Sequence, residues 1–204
     1  MEAFLALPEE KQNAVVDAAM LHFGKMGYKK ASARDIATAA GISKGMIFHY
    51  FGSKKNMYFY LIDLAFQELI QAFAQIQFDQ VTDFFDRIET GTKIKLDLIR
   101  KRPAMLNFLT SIYFETDPEV AEELSARMET GAAFQNNFVF TEIDRKKFKE
   151  TVDPELVLTI LVKYAEGYVS GASFQSAADL DSMEQEFLAC LKMMKANFYK
   201  EEYL

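Results

Sequence analysis

The chain has 204 residues, half of them apolar, a net charge of −7, one cysteine and two histidines. That is apolar material for one or two domains with a sizeable core, while Cys190 alone excludes an intrachain disulfide and a CxxC-type zinc site and is expected to pack as a small hydrophobe. No apolar run approaches the roughly 20 residues of a membrane span, and MEAFLALPEEKQN puts Pro and acids where a secretory signal keeps basic and apolar residues, so a cytoplasmic protein without a membrane partner is expected.

The charge is unevenly spread. Within Gly24 to Lys55 stand Lys25, Lys29, Lys30, Arg34, Lys44, Lys54 and Lys55 against Asp35 alone, so a small basic module precedes a larger acidic one.

Taken in order, the elements are helices. Val15, Ala18, Ala19 and Phe23 share one face of a first helix from about Pro8 to Met26, ended by Gly27. Ser32, with Asp35 three residues on, opens a second helix that stops at Gly41. Ser43 caps a third, KGMIFHYF, and Ser53 a long fourth that runs from Lys54 to Ile76. Further helices are predicted at Val81 to Lys101, Pro103 to Glu115, Pro118 to about Thr141, Pro154 to Gln175 and Ser182 to Tyr199, with loops at Asp144 to Asp153 and Ala177 to Asp181. The expected fold is therefore all-α, about nine helices, with a three-helix module over 1–52 and a helical body over 53–204.

The second and third helices, joined by Ala40, Gly41 and Ile42, form a helix-turn-helix. Ile47, Phe48 and Phe51 are assigned to its inward face, which leaves Lys44, Gly45, Met46, His49 and Tyr50 outward. Such a set packs poorly but suits a DNA major groove: Lys44 can donate to guanine, Gly45 lets the backbone approach, and Met46 can touch a thymine methyl. Ser43, its neighbouring N–H groups, His49 and Tyr50 can hold phosphates, and Lys54 and Lys55 open the next helix, whose N-terminal dipole also favours an anion.

From Ala18 to Met57 the chain reads AAMLHFGKMGYKKASARDIATAAGISKGMIFHYFGSKKNM, and this resembles the N-terminal domain of TetR-type transcriptional regulators, whose pattern runs approximately AAxxLFxxxGYxxxTxxxIAxxAGVSKGTLYxYFxSKExL. The resemblance covers about a fifth of the chain. It implies that Lys44, Gly45 and Met46 meet bases, that His49 and Tyr50 meet phosphates or a neighbouring base, and that Ser32, Arg34, Ser43 and Lys54 meet phosphates. Phe48 stands where Tyr is frequent and is read as core, Lys55 stands where Glu is usual, and His22 stands at an apolar position and is read as a partly buried structural histidine.

The resemblance further implies double-stranded DNA as partner, an effector pocket among helices four to seven and a homodimer built from the last two. By position and type the candidate pocket residues are Phe66, Phe73, Met105, Phe108, Tyr113, Phe134 and Tyr164, with Asn107 and Glu115 as polar anchors. LVLTILVKYAEGYVSGASF is apolar almost all round, and Gly167 with Gly171 would allow close helix approach. Control by a protein partner or by concentration, without a small effector, is the alternative. An enzyme is disfavoured by the histidine count and the lack of an ExxH pair, and no cofactor is implied. Basic clusters at Lys93, Lys95, Arg100, Lys101, Arg102 and at Arg145, Lys146, Lys147, Lys149 are read as solvated faces.

Overall fold

The computed structural model describes residues 1–75, 80–141, 143–171 and 177–204. Among them the chain is all-α, with ten α-helices of which nine have seven residues or more: α1 Glu2–Leu5, α2 Glu9–Lys30, α3 Ala33–Ala39, α4 Lys44–Phe51, α5 Lys54–Ala74, α6 Phe84–Lys101, α7 Ala104–Tyr113, α8 Ala121–Phe140, α9 Pro154–Gly171 and α10 Ala177–Phe198.

Local chemistry explains most of these boundaries. Pro8 precedes α2, whose first turn carries Glu9 and Glu10 and whose last carries Lys29 and Lys30, both matched to the helix dipole. The Ser32 hydroxyl accepts from the N–H of Arg34 at 3.2 Å and of Asp35 at 3.4 Å, and that of Ser43 accepts from Met46 N–H at 3.3 Å. Between α3 and α4, Gly41 takes φ 68°, and Ile42 N–H reaches back to Ala37 O at 2.9 Å, a Schellman-type stop that sets the angle of the turn. The Ser53 hydroxyl starts α5 by accepting from Asn56 N–H at 2.9 Å.

Four expectations change. The first helix does not end at Gly27: that residue makes a kink at φ 70°, ψ 170°, and helix resumes to Lys30. The segment 177–181, expected as a loop, belongs to α10. Helix α6 starts at Phe84 rather than Val81 because Asp83 caps it, accepting from the N–H of Phe85 and Asp86. The short α1 was not expected at all, yet its Phe4 is fully buried. Of the helices predicted to reach Ile76 and Gln175, the final residues 76 and 172–175 lie outside the described residues.

Two compact units result, one of Met1–Gln71 with Leu98–Ala132 and the other of Ala72–Asp97 with Ala133–Leu204. This division does not fall at 52: residues 53–71 and 98–132 pack in the same unit as the helix-turn-helix. The core of the first unit joins Ala19, Met20 and Phe23 of α2 with Ile36, Ile47, Phe51, Tyr58, Leu61 and Phe108. Helices α2 and α7 meet closely at Gly24, where an added Cβ would lie 2.8 Å from the backbone of Asn107 and Phe108.

The second unit packs Phe84, Phe85, Ile88, Phe148, Leu161, Leu191 and Tyr199 around a buried acid. Asp83 accepts from the ammonium of Lys147 at 2.9 Å and of Lys195 at 3.1 Å while it caps α6, and Arg87 donates to the carbonyls of Val81 and Phe138. The basic clusters are thus only partly solvated faces. Lys147 is tied to Asp83, Arg145 pairs with Glu155 at 2.6 Å, and in the first unit Arg102 pairs with Asp17 at 2.5 Å.

Burial alone would raise the carboxyl pKa of Asp83, but the hydrogen bonds from Lys147, from Asp86 N–H and from Lys195 together hold it below its ordinary value. A depressed native pKa makes the contribution complete above the unfolded value of about 4 and removes it as pH falls through the native one. Asp83→Ala is expected to cost about 3 kcal/mol near neutral pH, since it strands Lys147 in a partly buried position, leaves Lys195 with Asp86 alone and removes the cap of α6. Urea denaturation as a function of pH checks this: the gap between the wild type and the variant should close only in acid, and a pH-independent gap would refute it.

Candidate nucleic-acid interface

A helix advances about 100° per residue, so positions i, i+3 and i+4 share a face. On α4 these are Ile47, Tyr50 and Phe51, all 4% exposed or less, whereas Phe48 is 40% exposed. The expected assignment of Phe48 inward and Tyr50 outward is therefore reversed. The Tyr50 ring lies 5.7 Å from that of Phe4, which also packs on Phe51 at 4.8 Å and Tyr60 at 5.6 Å. Helix α1 thereby forms the back wall of α4, held there by the Gln12 side-chain amide, which donates to the carbonyls of Leu5 and Leu7.

The outward surface of α4 consists of Lys44, Gly45, Phe48 and His49, with Met46 half-buried at its edge. The Lys44 ammonium stands 5.7 Å from the Phe48 ring centroid. A Cβ on Gly45 would meet only the Ser43 hydroxyl at 3.7 Å, so packing within the chain does not require glycine there. Approach of an external backbone would. Ser32 and Ser43 use their oxygens as helix caps, yet each hydroxyl proton remains free to donate.

The cations sort into two groups. Lys25, Lys29, Lys30, Arg34 and Lys44 are exposed and make no ion pair among the described residues. The first three contributed to the charge excess in the sequence but were not singled out as contacts. Their exposure on α2 beside the helix-turn-helix makes them candidates of the same kind.

Lys54 and Lys55 are engaged within the chain. The Lys54 ammonium donates to Tyr28 O at 2.9 Å and Lys29 O at 3.4 Å and sits 4.3 Å from the Tyr28 ring centroid. A cation in the first turn of α5 opposes that helix's dipole but meets the last carbonyls of α2, where a positive charge is favoured. Lys55 pairs with Glu123 at 3.2 Å. On the other side of the same residue, in the preceding peptide group, the Glu115 carboxylate accepts from Tyr28 N–H at 2.7 Å, and it also accepts from the N–H of Thr116 and Asp117. Glu115, expected as an effector anchor, thus fastens the Gly27 kink.

The other candidate pocket residues do not converge. Met105 and Phe108 are core, and Asn107 is the backbone seat of Gly24. Phe66 faces Gly131 in the first unit, while Phe73 and Phe134 meet edge-on with centroids 5.8 Å apart in the second. Tyr164 is 38% exposed and stacks on Phe187. Tyr113 and Glu115 line an open pocket of about 280 Å³ with Ile112, Leu124, Ser125 and Met128. His22 is half-buried, and among the described residues no three His, Cys, Asp or Glu side chains gather as a metal site.

A capped helix-turn-helix with an unobstructed basic face, set on a wholly helical body, is the construction of a DNA-binding transcriptional regulator. Residues 15–61 match the family described as bacterial regulatory proteins, tetR family. The match spans the helix-turn-helix and the elements on either side of it, from within α2 to within α5. The HTH-type transcriptional repressor AcnR of Corynebacterium glutamicum is 35% identical over 51 residues, 25% of this chain and 27% of that one, so the likeness spans about a quarter of that relative. The fold extends further. A TetR family transcriptional regulator from Chloroflexus aurantiacus J-10-FL superposes with a TM-score of 0.73 at 20% identity over 98% of this chain and 99% of its own. FadR from Bacillus subtilis, solved in complex with stearoyl-CoA, does so with 0.67 at 15% identity over 87% and 96%.

The two groups of cations make different predictions for DNA binding. Replacing a residue that neutralises a phosphate lowers the slope of log affinity against log salt by about one, whereas replacing one that only holds the reading head weakens binding at an unchanged slope. Arg34→Ala is expected to lower the slope, and Lys54→Met to weaken binding without lowering it. Fluorescence anisotropy on one duplex across a salt series decides between them, and a reduced slope for Lys54→Met would restore it to the phosphate contacts.

Proposed function

We propose that this protein is a repressor that binds a palindromic operator as a homodimer and leaves it when a small, largely apolar effector binds. Residues 1–52 read the DNA and 53–204 take the effector and dimerise, a division by role that cuts across the packing units. The observation that carries the reading is the outward surface of α4: Lys44 and an unobstructed Gly45, flanked by cations that make no ion pair among the described residues. In this reading Lys44, Gly45 and Met46 meet base edges, and Ser32, Arg34, Ser43 and His49 meet phosphates or a neighbouring base. Tyr50 contributes from behind the helix, and Lys54 and Lys55 act by holding it.

Dimerisation is supported by α9. Leu156, Ile160 and Tyr164 recur every fourth residue and are 56%, 43% and 38% exposed, a stripe of large apolar side chains that a second copy would cover; Met193 on α10 is 58% exposed. A two-fold axis between the copies would set the two α4 helices to meet successive major grooves about 34 Å apart, which requires a palindrome. The repressor sense follows the name of the relative from Corynebacterium glutamicum, and the acyl ligand in the Bacillus subtilis structure is of the apolar class proposed here. An effector acts only through a difference in affinity between the DNA-bound and free arrangements. A reader of chromosomal DNA works in the cytoplasm, in keeping with the lack of any described helix long and apolar enough to cross a membrane.

Selection of genomic fragments with the purified protein is expected to recover a palindrome, and Lys44→Ala to weaken binding to it by roughly tenfold or more while relaxing one base position in each half-site. Recovery of only sequence-independent binding would refute the assignment of α4. Separately, Ile160→Glu should convert the dimer to a monomer in sedimentation analysis. A variant that stays dimeric would remove α9 from the interface.

A further inference from the structure

Lys95 breaks the pattern of its helix. On α6 the charged residues Asp86, Lys93 and Asp97 lie on one side, and Phe84, Ile88 and Gly91 on the other, where all three are buried. By helical angle Lys95 falls in the middle of the buried stripe, one turn beyond Gly91 and opposite Asp97. Its helical angle separates it from the face that carries Asp86, Lys93 and Asp97, although the residue itself is exposed.

Three further facts describe its surroundings. The α6 backbone at Gly91 is pressed on aromatic rings, since an added Cβ would lie 3.2 Å from Phe138 and 3.5 Å from Phe73. Those two rings are 4.5 Å apart, and Phe134 stands 5.8 Å from Phe73 on the same α8 stretch as Phe138. The Lys95 side chain nevertheless keeps accessible surface, and it has no ion-pair or hydrogen-bond partner among the described residues.

Accessible surface on an inward-facing side chain means space inside the fold rather than packing. Burial also pushes the ammonium pKa down, and no acid among the described residues offsets it. An unpaired ammonium in apolar surroundings is destabilising, and buried cations are otherwise paired. Asp83 illustrates the paired alternative in the same unit, with Lys147 and Lys195 both bound to it.

We infer that Lys95 is the headgroup anchor of a binding site in the second unit for an amphiphilic anion, whose carboxylate or phosphate meets the ammonium and whose apolar chain lies against Phe73, Phe134 and Phe138. This rests on the effector role proposed for 53–204 and names the chemical class of that effector. A ligand of this kind supplies the missing counter-charge where it is worth most, in a site that excludes water.

The test measures binding directly, by calorimetry on the full chain without DNA, using dodecanoate, dodecyl phosphate, dodecanol and dodecylamine below their micelle concentrations. Either or both anions should bind the wild type, and the alcohol and amine should bind at least tenfold more weakly. Lys95→Met should weaken the anions by roughly tenfold to a hundredfold while changing the alcohol little. The empty Lys95→Met variant should also melt at a higher temperature than the wild type, which shows that it folds and that the lone charge was a burden. Lys95→Glu should reverse the preference toward the amine. Failure of both anions to bind, equal binding of anion and alcohol, or undiminished anion binding by Lys95→Met would each overturn the anchor. A parallel arm adds the same compounds to the DNA complex. Anion binding that depends on Lys95 but leaves the DNA bound would refute the effector role and keep the site.

Discussion

The backbone on either side of the Tyr28 Cα is the point on which the first unit turns. Gly27 takes a left-handed backbone conformation that a side chain would strain, and the chain leaves the long run of α2 there. What fixes the new direction is a pair of charged groups from outside the helix-turn-helix: the Glu115 carboxylate on the N–H side and the Lys54 ammonium on the carbonyl side. Both are charge-assisted bonds to backbone, the stronger kind, and neither partner can move without releasing the peptide. Helices α3 and α4 follow directly, so the pose of the basic face is set by residues from α5 and from the end of α7. Phe4 closes the opposite side by filling the space behind Tyr50 and Phe51.

This arrangement assigns physical roles to the aromatic residues that crowd this part of the chain. Phe23, Tyr28, Tyr58 and Phe108 contact one another with centroids 5.0 to 6.3 Å apart, in tilted, edge-on and stacked pairs that pin α2 to α5 and α7. Such pairs add to burial a preference for particular angles. Gly24 completes the contact by letting α2 approach the α7 backbone closely. Contact at Gly24 and the Glu115 bond to Tyr28 N–H therefore couple the position of α7 to α2 and to the start of the reading head, the route by which the proposed effector would act.

Much of this was legible in the sequence. The serine caps, Gly41 and the 3.6-residue periodicity located α2 to α5 because their determinants are local. The local basic excess pointed to the helix-turn-helix, although the packing units do not divide where the charge does. What misled was anything decided by a distant partner. Tyr50 and Phe48 exchange faces because the helical stripe continues through 47, 50 and 51 and because Phe4, from an unexpected helix, offers a ring to the first of the pair. Lys54 reads as a phosphate ligand in the sequence, whereas in the fold its ammonium donates a hydrogen bond to Tyr28 O, 26 positions away in the chain. Glu115 reads as a pocket anchor for the same reason. Lys95 was grouped with neighbours in sequence, although its helical angle alone separates it from Lys93 and Asp97.

The fate of each lysine is then the most informative property of the molecule. A surface cation with no partner costs little in water and is free to displace the counterions of DNA. A cation held by backbone carbonyls, as Lys54 is, contributes stiffness and is lost to recognition. A cation paired with a buried carboxylate, as Lys147 and Lys195 are with Asp83, organises a core. Lys95 fits none of these: its helical angle sets it among buried neighbours, it keeps accessible surface, and no partner neutralises it among the described residues. A cation placed this way acts most strongly on an anion brought to it, so the charge pattern that supports α4 as a surface for one polyanion also supports the seat proposed on α6 for a smaller one.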